Sequence, residues 1–310
     1  MSDFSVYKYQ SYKKIKCYNE QVMKKFLFIL TIIGLFLYGF FIEPSLLLVK
    51  TKDVYLPNLN PKLDGVKIGV VADLHIGTTF VNLEKVDKVI KKVNSYNTDL
   101  IFLLGDLDAK SISRHYNEEQ IIEKLNKFHA KYGVISILGN HDYEPENIIR
   151  DITLKSNVSL LENETKNVQI NGVTLRVVGF KDLWHHYLNP GYIIGNDNKT
   201  STIVLAHNPD SFPDVPNFVC LTLSGHTHGG EVCIPVFGSI TVPSKYGDKY
   251  RKGYIVENGK HLYVSGGVAT LSHLRFCNPP EITILTIHPQ TEKTKIENTG
   301  LKKHIRKSIL

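Results

Sequence analysis

Val66-Lys67-Ile68-Gly69-Val70-Val71-Ala72-Asp73-Leu74-His75 begins a pattern that the chain then repeats twice more. A short apolar run, Val66 to Val71, empties into a polar loop, Ala72-Asp73-Leu74-His75-Ile76-Gly77. Leu100 to Leu104 does the same into Gly105-Asp106, and Val134 to Leu138 into Gly139-Asn140-His141-Asp142. Between the runs, Val86, Val89, Ile90 and Val93 recur at helical spacing with lysines on the other face. Ile121, Ile122, Leu125 and Phe128 mark a second amphipathic helix. Strand, polar loop and helix in succession predict βαβ units and a largely parallel sheet. Such sheets carry their ligands at the carboxyl ends of the strands. Here each of those ends bears an Asp, His or Asn.

The second half changes character. Val168 to Gly179 holds Asn171-Gly172 between alternating runs, which predicts a β-hairpin. Thr202 to Ala206 leads to His207-Asn208-Pro209-Asp210, and Val219 to Leu223 leads to Gly225-His226-Thr227-His228-Gly229-Gly230. Later runs (Gly253 to Val256, Leu262 to Val264, Ile282 to Ile287) are short and separated by turns. The expected fold is α/β: two mixed β-sheets packed face to face and flanked by helices, in one catalytic domain.

The strand-end residues are Asp73, His75, Asp106, Asn140, His141, His207, His226 and His228. Mixed carboxylate, amide and imidazole donors suit Mn, Zn or Fe better than Ca or Mg, which take oxygen shells. They are too many for one ion and suit two that share a carboxylate. A two-metal centre clamps the attacking and leaving oxygens of an in-line displacement at phosphorus, and a bridging water becomes the hydroxide nucleophile. A histidine outside the ligand set can then protonate the leaving oxygen.

Asp73-x-His75, Gly105-Asp106, Gly139-Asn140-His141-Asp142, His207 and Gly225-His226-Thr227-His228 stand in a telling order and spacing. From about Val66 to Ile287 the chain resembles the calcineurin-like metallophosphoesterase superfamily. Ala206-His207-Asn208-Pro209-Asp210, His226-Thr227-His228-Gly229-Gly230 and Pro280-Glu281-Ile282-Thr283 resemble its bacterial, often membrane-anchored YaeI/YkuE-type phosphodiesterase branch. The resemblance implies that Asp73, His75 and His228 hold one metal, that Asn140, His207 and His226 hold the other, and that Asp106 bridges. It makes His141 the acid beside the leaving group, with Asp142 either orienting it or serving only as a turn residue. Arg275 is a candidate for substrate phosphate, which a guanidinium binds bidentately; a structural salt bridge is the alternative. The chain departs from the family at Ala109, where an acidic residue is common (Asp108 stands one step early), and at Glu231, where the branch has Gln. Both bear on substrate fit. Trp184-His185-His186-Tyr187, in the variable stretch before His207, reads as a substrate-side loop or an ordinary surface loop.

Ahead of residue 50, Phe26 to Ile42 runs without a charge, and Leu46-Leu47-Leu48-Val49 follows Glu43-Pro44-Ser45. About 17 apolar residues lie at the short end for a membrane span, and Leu27 to Phe41 lacks the polar face of a core helix. The segments expected are a basic cytoplasmic lead (1–25), a transmembrane anchor (26–49) and a linker with a lead-in strand (50–65). The catalytic domain (66–288) and a basic tail (289–310) follow. Lysines before the run put the catalytic domain on the extracytoplasmic side of the cell membrane. A cleaved signal peptide is the alternative, although no small-x-small site stands around Tyr38 to Glu43. Met23 offers a second possible start.

The net charge of +7 is concentrated at the ends, in Lys8, Lys13, Lys14, Lys16, Lys24 and Lys25 and in Lys302, Lys303, Arg306 and Lys307. They read as solvated or membrane-surface segments, and no nucleic-acid partner is expected. Four cysteines without C-x-x-C spacing argue against a structural zinc or a disulfide framework and read as buried free thiols. The expected partners are a phosphoester substrate, lipid-linked or a wall polymer, and membrane lipid around the anchor. A membrane-tethered binding protein that keeps the metal site as structure is the competing class. A cytoplasm-facing phosphatase or pyrophosphatase of lipid precursors is the other alternative.

Overall fold

The computed structural model describes residues 3–108, 116–144 and 148–291. Two six-stranded mixed sheets pack face to face, as the sequence predicts. The first contains β1 (Leu48–Leu56), β2 (Val66–Val71), β3 (Leu100–Leu104), β4 (Val134–Ile137), β5 (Ser159–Leu160) and β14 (Glu281–Pro289), in the order β1-β14-β2-β3-β4-β5. The second contains β6 (Glu164–Ile170), β7 (Val173–Gly179), β8 (Ser201–Leu205), β9 (Leu221–Ser224), β12 (Gly253–Glu257) and β13 (Lys260–Val264), in the order β12-β13-β9-β8-β7-β6. A small hairpin, β10 (Cys233–Ile234) with β11 (Gly238–Ser239), stands apart.

Strand β3 shows why the runs read as continuously apolar. Leu100, Phe102 and Leu104 face the core between the sheets, where they meet Ile68, Val177, Ile203 and Leu221. Ile101 and Leu103 point the other way, onto the helices α2 (Leu83–Asn94) and α3 (Glu118–Asn126) through Val89, Val93, Ile121 and Leu125. A strand buried on both faces has no polar position to spare. Both helices begin on side-chain caps. Asn82 accepts from the Lys85 amide, and Asn117 with Gln120 forms a capping box. The β6–β7 turn has positive φ at both Asn171 (51°) and Gly172 (75°), the type I′ geometry that the right-handed strand twist favours.

The N-terminal third differs from expectation. Helix α1 (Asp3–Leu37) is continuous through the lead and the anchor, then widens into a π turn (Tyr38–Ile42) and ends in a tighter 3-10 turn (Glu43–Ser45). Among the described residues, Tyr18–Ser45 is the one helical stretch long and apolar enough to cross a membrane. The lead-in strand expected within 50–65 is the edge strand β1, which starts earlier, at Leu48, and pairs in parallel with β14 from Leu48↔Glu281 to Leu56↔Pro289. Lys50-Thr51-Lys52-Asp53 faces solvent, and only Val54 and Leu56 are buried. A polar edge strand carries little of the hydrophobic pattern that marks a strand. Of the expected tail, residues 292–310 lie outside the described residues.

The end of the anchor is seated on the domain. The Arg275 amide donates to the Gly39 carbonyl at 2.9 Å, and a Cβ at position 39 would come within 2.9 Å of the Arg275 carbonyl oxygen. The buried Glu43 carboxylate accepts from the amides of Cys277 and Asn278 at 3.1 and 2.5 Å. Lys85 closes the junction from α2, donating to the carbonyls of Ser45 and Leu46.

One core group gives the fold a pH dependence away from the candidate site. His261 on β13 is buried against the Tyr254 hydroxyl, and burial lowers its pKa to about 4. The ring is neutral in the fold and protonates near 6.5 when the chain unfolds, so stability falls as the pH drops from about 6.5 to about 4. Between pH 7.5 and pH 5 this group costs about 2 kcal/mol. Urea melts of His261→Gln should lose less stability over that interval than the parent by about this amount.

Candidate metal centre

Both sheets aim their central strand ends at one place. Asp73 and His75 follow β2, Asp106 follows β3 and Asn140 follows β4; His207 follows β8, and His226 and His228 follow β9. All seven are buried. Five of the seven, Asp73, His75, Asp106, His226 and His228, hold φ between 41° and 70°. Non-glycine residues pay for that conformation, and such strain gathers at functional sites. Glycines leave the room: a Cβ on Gly139 would lie 2.2 Å from Asp106 Oδ1, and one on Gly225 would lie 2.8 Å from Asp73 Oδ2.

The donors fall into two clusters. One ligand atom each from Asp73, His75, Asp106 and His228 lie within 4.8 Å of one another, and so do those of Asp106, His207 and His226. Asp106 belongs to both. Its Oδ2 is 3.4 Å from His75 Nε2 and 3.1 Å from His207 Nε2, while Oδ1 accepts from the His141 amide at 2.9 Å. Asn140 Oδ1 completes the second cluster, 3.2 Å from His207 Nε2 and 2.8 Å from His226 Nδ1.

The fit to cations can be tested on these contacts. His207 Nδ1 faces the Leu104 carbonyl at 2.7 Å, and His228 Nδ1 faces the Ala269 carbonyl at 3.2 Å. A carbonyl there accepts from the ring Nδ1–H and leaves Nε2 with its lone pair free, the usual support of a ligating imidazole. His75 Nε2 and His228 Nε2 then meet at 3.2 Å, an arrangement that a cation between them relieves. Asp73 Oδ2, His75 Nδ1 and His226 Nε2 are buried without a hydrogen-bond partner. Burial, together with the neighbouring imidazoles, lowers the His226 pKa to about 3 and holds His75 well below its usual value, so both rings are neutral. Burial also opposes charge on His207, but the adjoining Asp106 carboxylate prevails and lifts it to about 10. Without a cation, a proton on His207 is what balances that carboxylate. The residues fit two divalent ions.

His141 lies beside the clusters rather than within them. Its ring meets the His75 ring edge-on at 5.0 Å, and its Nδ1 pairs with Glu144 Oε1 at 2.8 Å across a 3-10 turn. Asp142, expected as a possible orienting group, does something else. Its carboxylate accepts from the amides of Gly139 (2.8 Å), Leu107 (3.0 Å) and Asp108 (3.1 Å), which ties the β3 loop to the β4 loop. The group on the His141 ring is Glu144, missed in the sequence; its i,i+3 spacing was the available signal. Arg275 is fully buried, and its guanidinium donates to the carbonyls of Asn278, Gly266 and Ala269 and to the Thr270 hydroxyl. Of the two departures, Ala109 lies outside the described residues. The Glu231 carboxylate is folded onto the amides of Leu271 and Ser272. The Trp184 segment does reach the site: the indole stands perpendicular to the His226 ring at 4.5 Å, and Tyr143 packs against His186 at 4.6 Å.

A two-sheet α/β sandwich with Asp, His and Asn donors converging from the strand ends defines a metal-dependent phosphoric ester hydrolase. The chain belongs to the calcineurin-like phosphoesterase family, which matches residues 66–230. It is 29% identical over 259 residues to the metallophosphoesterase YkuE of Bacillus subtilis, covering 81% of this chain and 88% of that one. Phosphodiesterase YaeI of Escherichia coli is 29% identical over 228 residues, covering 71% of this chain and 82% of its own. The UDP-2,3-diacylglucosamine pyrophosphatase LpxG of Chlamydia trachomatis is 26% identical over 303 residues, covering 79% and 90%.

Proposed function

We propose that this chain is a dinuclear phosphoesterase that hydrolyses phosphodiesters at the membrane or cell envelope. The observation that carries the reading is Asp106, shared by two buried donor clusters. Asp73, His75 and His228 would hold one ion, Asn140, His207 and His226 the other, and Asp106 both. Bound there, divalent ions (Mn, Zn or Fe) would neutralise phosphoryl oxygens and acidify a water for attack on phosphorus.

The protein's own residues supply the remainder. Glu144 accepts from His141 Nδ1 and stabilises the doubly protonated ring, whose Nε2 proton goes to the leaving oxygen and leaves the ring neutral. Trp184 walls the His226 side and positions the substrate against it. The three amides on Asp142 hold the β3 and β4 loops in register, so that Asp106 and Asn140 keep their separation. Glu144→Gln should lower kcat for alkyl diesters by roughly tenfold with KM unchanged. A change in KM alone would count against the positioning role.

The helix Tyr18–Ser45 supports a single-pass membrane location, and Lys24 and Lys25 ahead of its apolar run support an extracytoplasmic catalytic domain. The seating of Glu43 and the pairing of β1 support a domain that begins at Leu48 rather than at residue 66. Similarity to LpxG favours a second reading, hydrolysis of a pyrophosphate bond in a lipid precursor by a cytoplasm-facing domain.

The test uses the full chain, because truncation at residue 50 would cut β1. Chelated protein should be inactive, and readdition of Mn, Zn or Fe should restore cleavage of bis-p-nitrophenyl phosphate above that of p-nitrophenyl phosphate. Preference for the monoester would overturn the diester assignment. Bound metal with neither ester cleaved would favour the non-catalytic binding protein.

A further inference from the structure

We propose that the cavity beside His228 holds an alkyl chain of the substrate, so that the phosphoester is an amphiphile drawn from the bilayer; this rests on the phosphoesterase reading above. The cavity has a volume of 480 Å³, within the range of small-molecule sites. Thr227 and His228, the latter a residue of the candidate metal centre, belong to its lining. Val232, Ile240, Pro243 and Leu271 supply apolar wall, with Glu231, Thr241 and Ser272 among them.

Three of the polar side chains on that wall are already engaged, Ser272 by donating to the Leu274 carbonyl. The Glu231 carboxylate accepts from the Leu271 and Ser272 amides at 2.5 and 2.8 Å, and the Thr227 hydroxyl donates to the Arg251 carbonyl at 2.6 Å. A sugar or a nucleotide base would need convergent donors and acceptors. A hydrocarbon chain needs only the apolar surface that is there.

Two further observations point to the membrane as the source of the chain. The loop that supplies Leu271 runs directly into the end of α1. The His273 ring stacks with Phe40 at 6.4 Å, and the Arg275 amide donates to the Gly39 carbonyl. The cavity wall is thus tied to the last turns of the candidate membrane helix. Its rim is also apolar and exposed: Ile240 is 67% accessible, and the nearby tip between β10 and β11 presents Val236 and Phe237 at 101% and 85%. Apolar side chains grouped at such a rim mark an interaction surface, and beside a membrane helix they suit the headgroup layer.

The experiment measures hydrolysis of p-nitrophenyl alkyl phosphates with methyl, octyl and dodecyl tails by the full chain in phosphatidylcholine nanodiscs. Ile240→Asp and Leu271→Asp are compared with the parent, each normalised to its own methyl-ester rate. Partition of the tails into lipid is common to all three proteins. Each methylene buried in the cavity should raise kcat/KM roughly fourfold, and both variants should lose at least tenfold of the octyl-to-methyl ratio. Equal ratios in parent and variants would overturn the proposal and leave the phosphoesterase reading standing. If no ester is cleaved, the methyl ester included, that reading fails instead, and calorimetric binding of dodecyl phosphate decides the cavity. Tenfold weaker binding in both variants supports it; equal binding overturns it.

Discussion

Asp106→Asn should reduce phosphoester turnover by at least about 10³-fold and empty both metal positions at once. Asp106 is the one side chain common to the two donor clusters, with Oδ2 3.1 Å from His207 Nε2 and 3.4 Å from His75 Nε2. Asparagine keeps the volume and leaves Oδ1 able to accept from the His141 amide, now at 2.9 Å. The loop geometry therefore survives while the charge that attracts two cations is gone. Elemental analysis of the purified variant should show metal lost from both positions, with its circular dichroism spectrum unchanged. A variant that keeps both ions and a tenth of the activity would show that Asp106 is not the shared ligand. Loss of one ion only would assign it to a single cluster.

His141→Ala should have the second-largest effect, and that effect should depend on the leaving group. The ring lies outside both clusters, edge-on to His75 at 5.0 Å, so metal content should stay unchanged. General-acid assistance is worth roughly 10²–10⁴ in rate, most where the departing oxygen is strongly basic. An alkyl diester should therefore lose turnover in that range, whereas a p-nitrophenyl diester, whose leaving group departs unaided, should lose roughly tenfold. Equal losses on the two esters would remove His141 from the acid role. So would a fall in metal content, which would make the residue a ligand. Glu144→Gln should follow the same leaving-group pattern at smaller amplitude, because it acts through the His141 ring.

The order of the strands that build the site could be read from the chain because each is buried on both faces. Leu100–Leu104 is wholly apolar, Val66–Val71 and Val134–Ile137 are interrupted only by Lys67 and Ser136, and the loop after each run is where chemistry can begin. β1 is legible only as a lead-in strand somewhere in 50–65. Its solvent-facing lysines carry no core pattern, and its bounds are set by pairing with β14, more than two hundred residues later. The anchor's boundary failed for the same reason, since Leu48-Val49 continues the apolar run in sequence but belongs to the sheet in space.

For the site, the sequence by itself determined which donors stand at the strand ends: Asp73, His75, Asp106, Asn140, His207, His226 and His228. That is a local property, set by an apolar run followed at once by a polar loop. Tertiary structure alone decided how the neighbouring polar groups are used. Asp142 and Glu144 are both acids close to His141 in the chain, yet Asp142 is taken up by amides from the β3 loop and Glu144 by the imidazole. Arg275 looked equally available to a phosphate until the carbonyls of Gly266, Ala269 and Asn278 enclosed it. A buried charge or amide must find partners wherever the fold brings them, and Glu43 finds its own 235 residues away at Asn278. Hydrophobic periodicity carries no information about such pairings, because they form only when the two sheets close on one another.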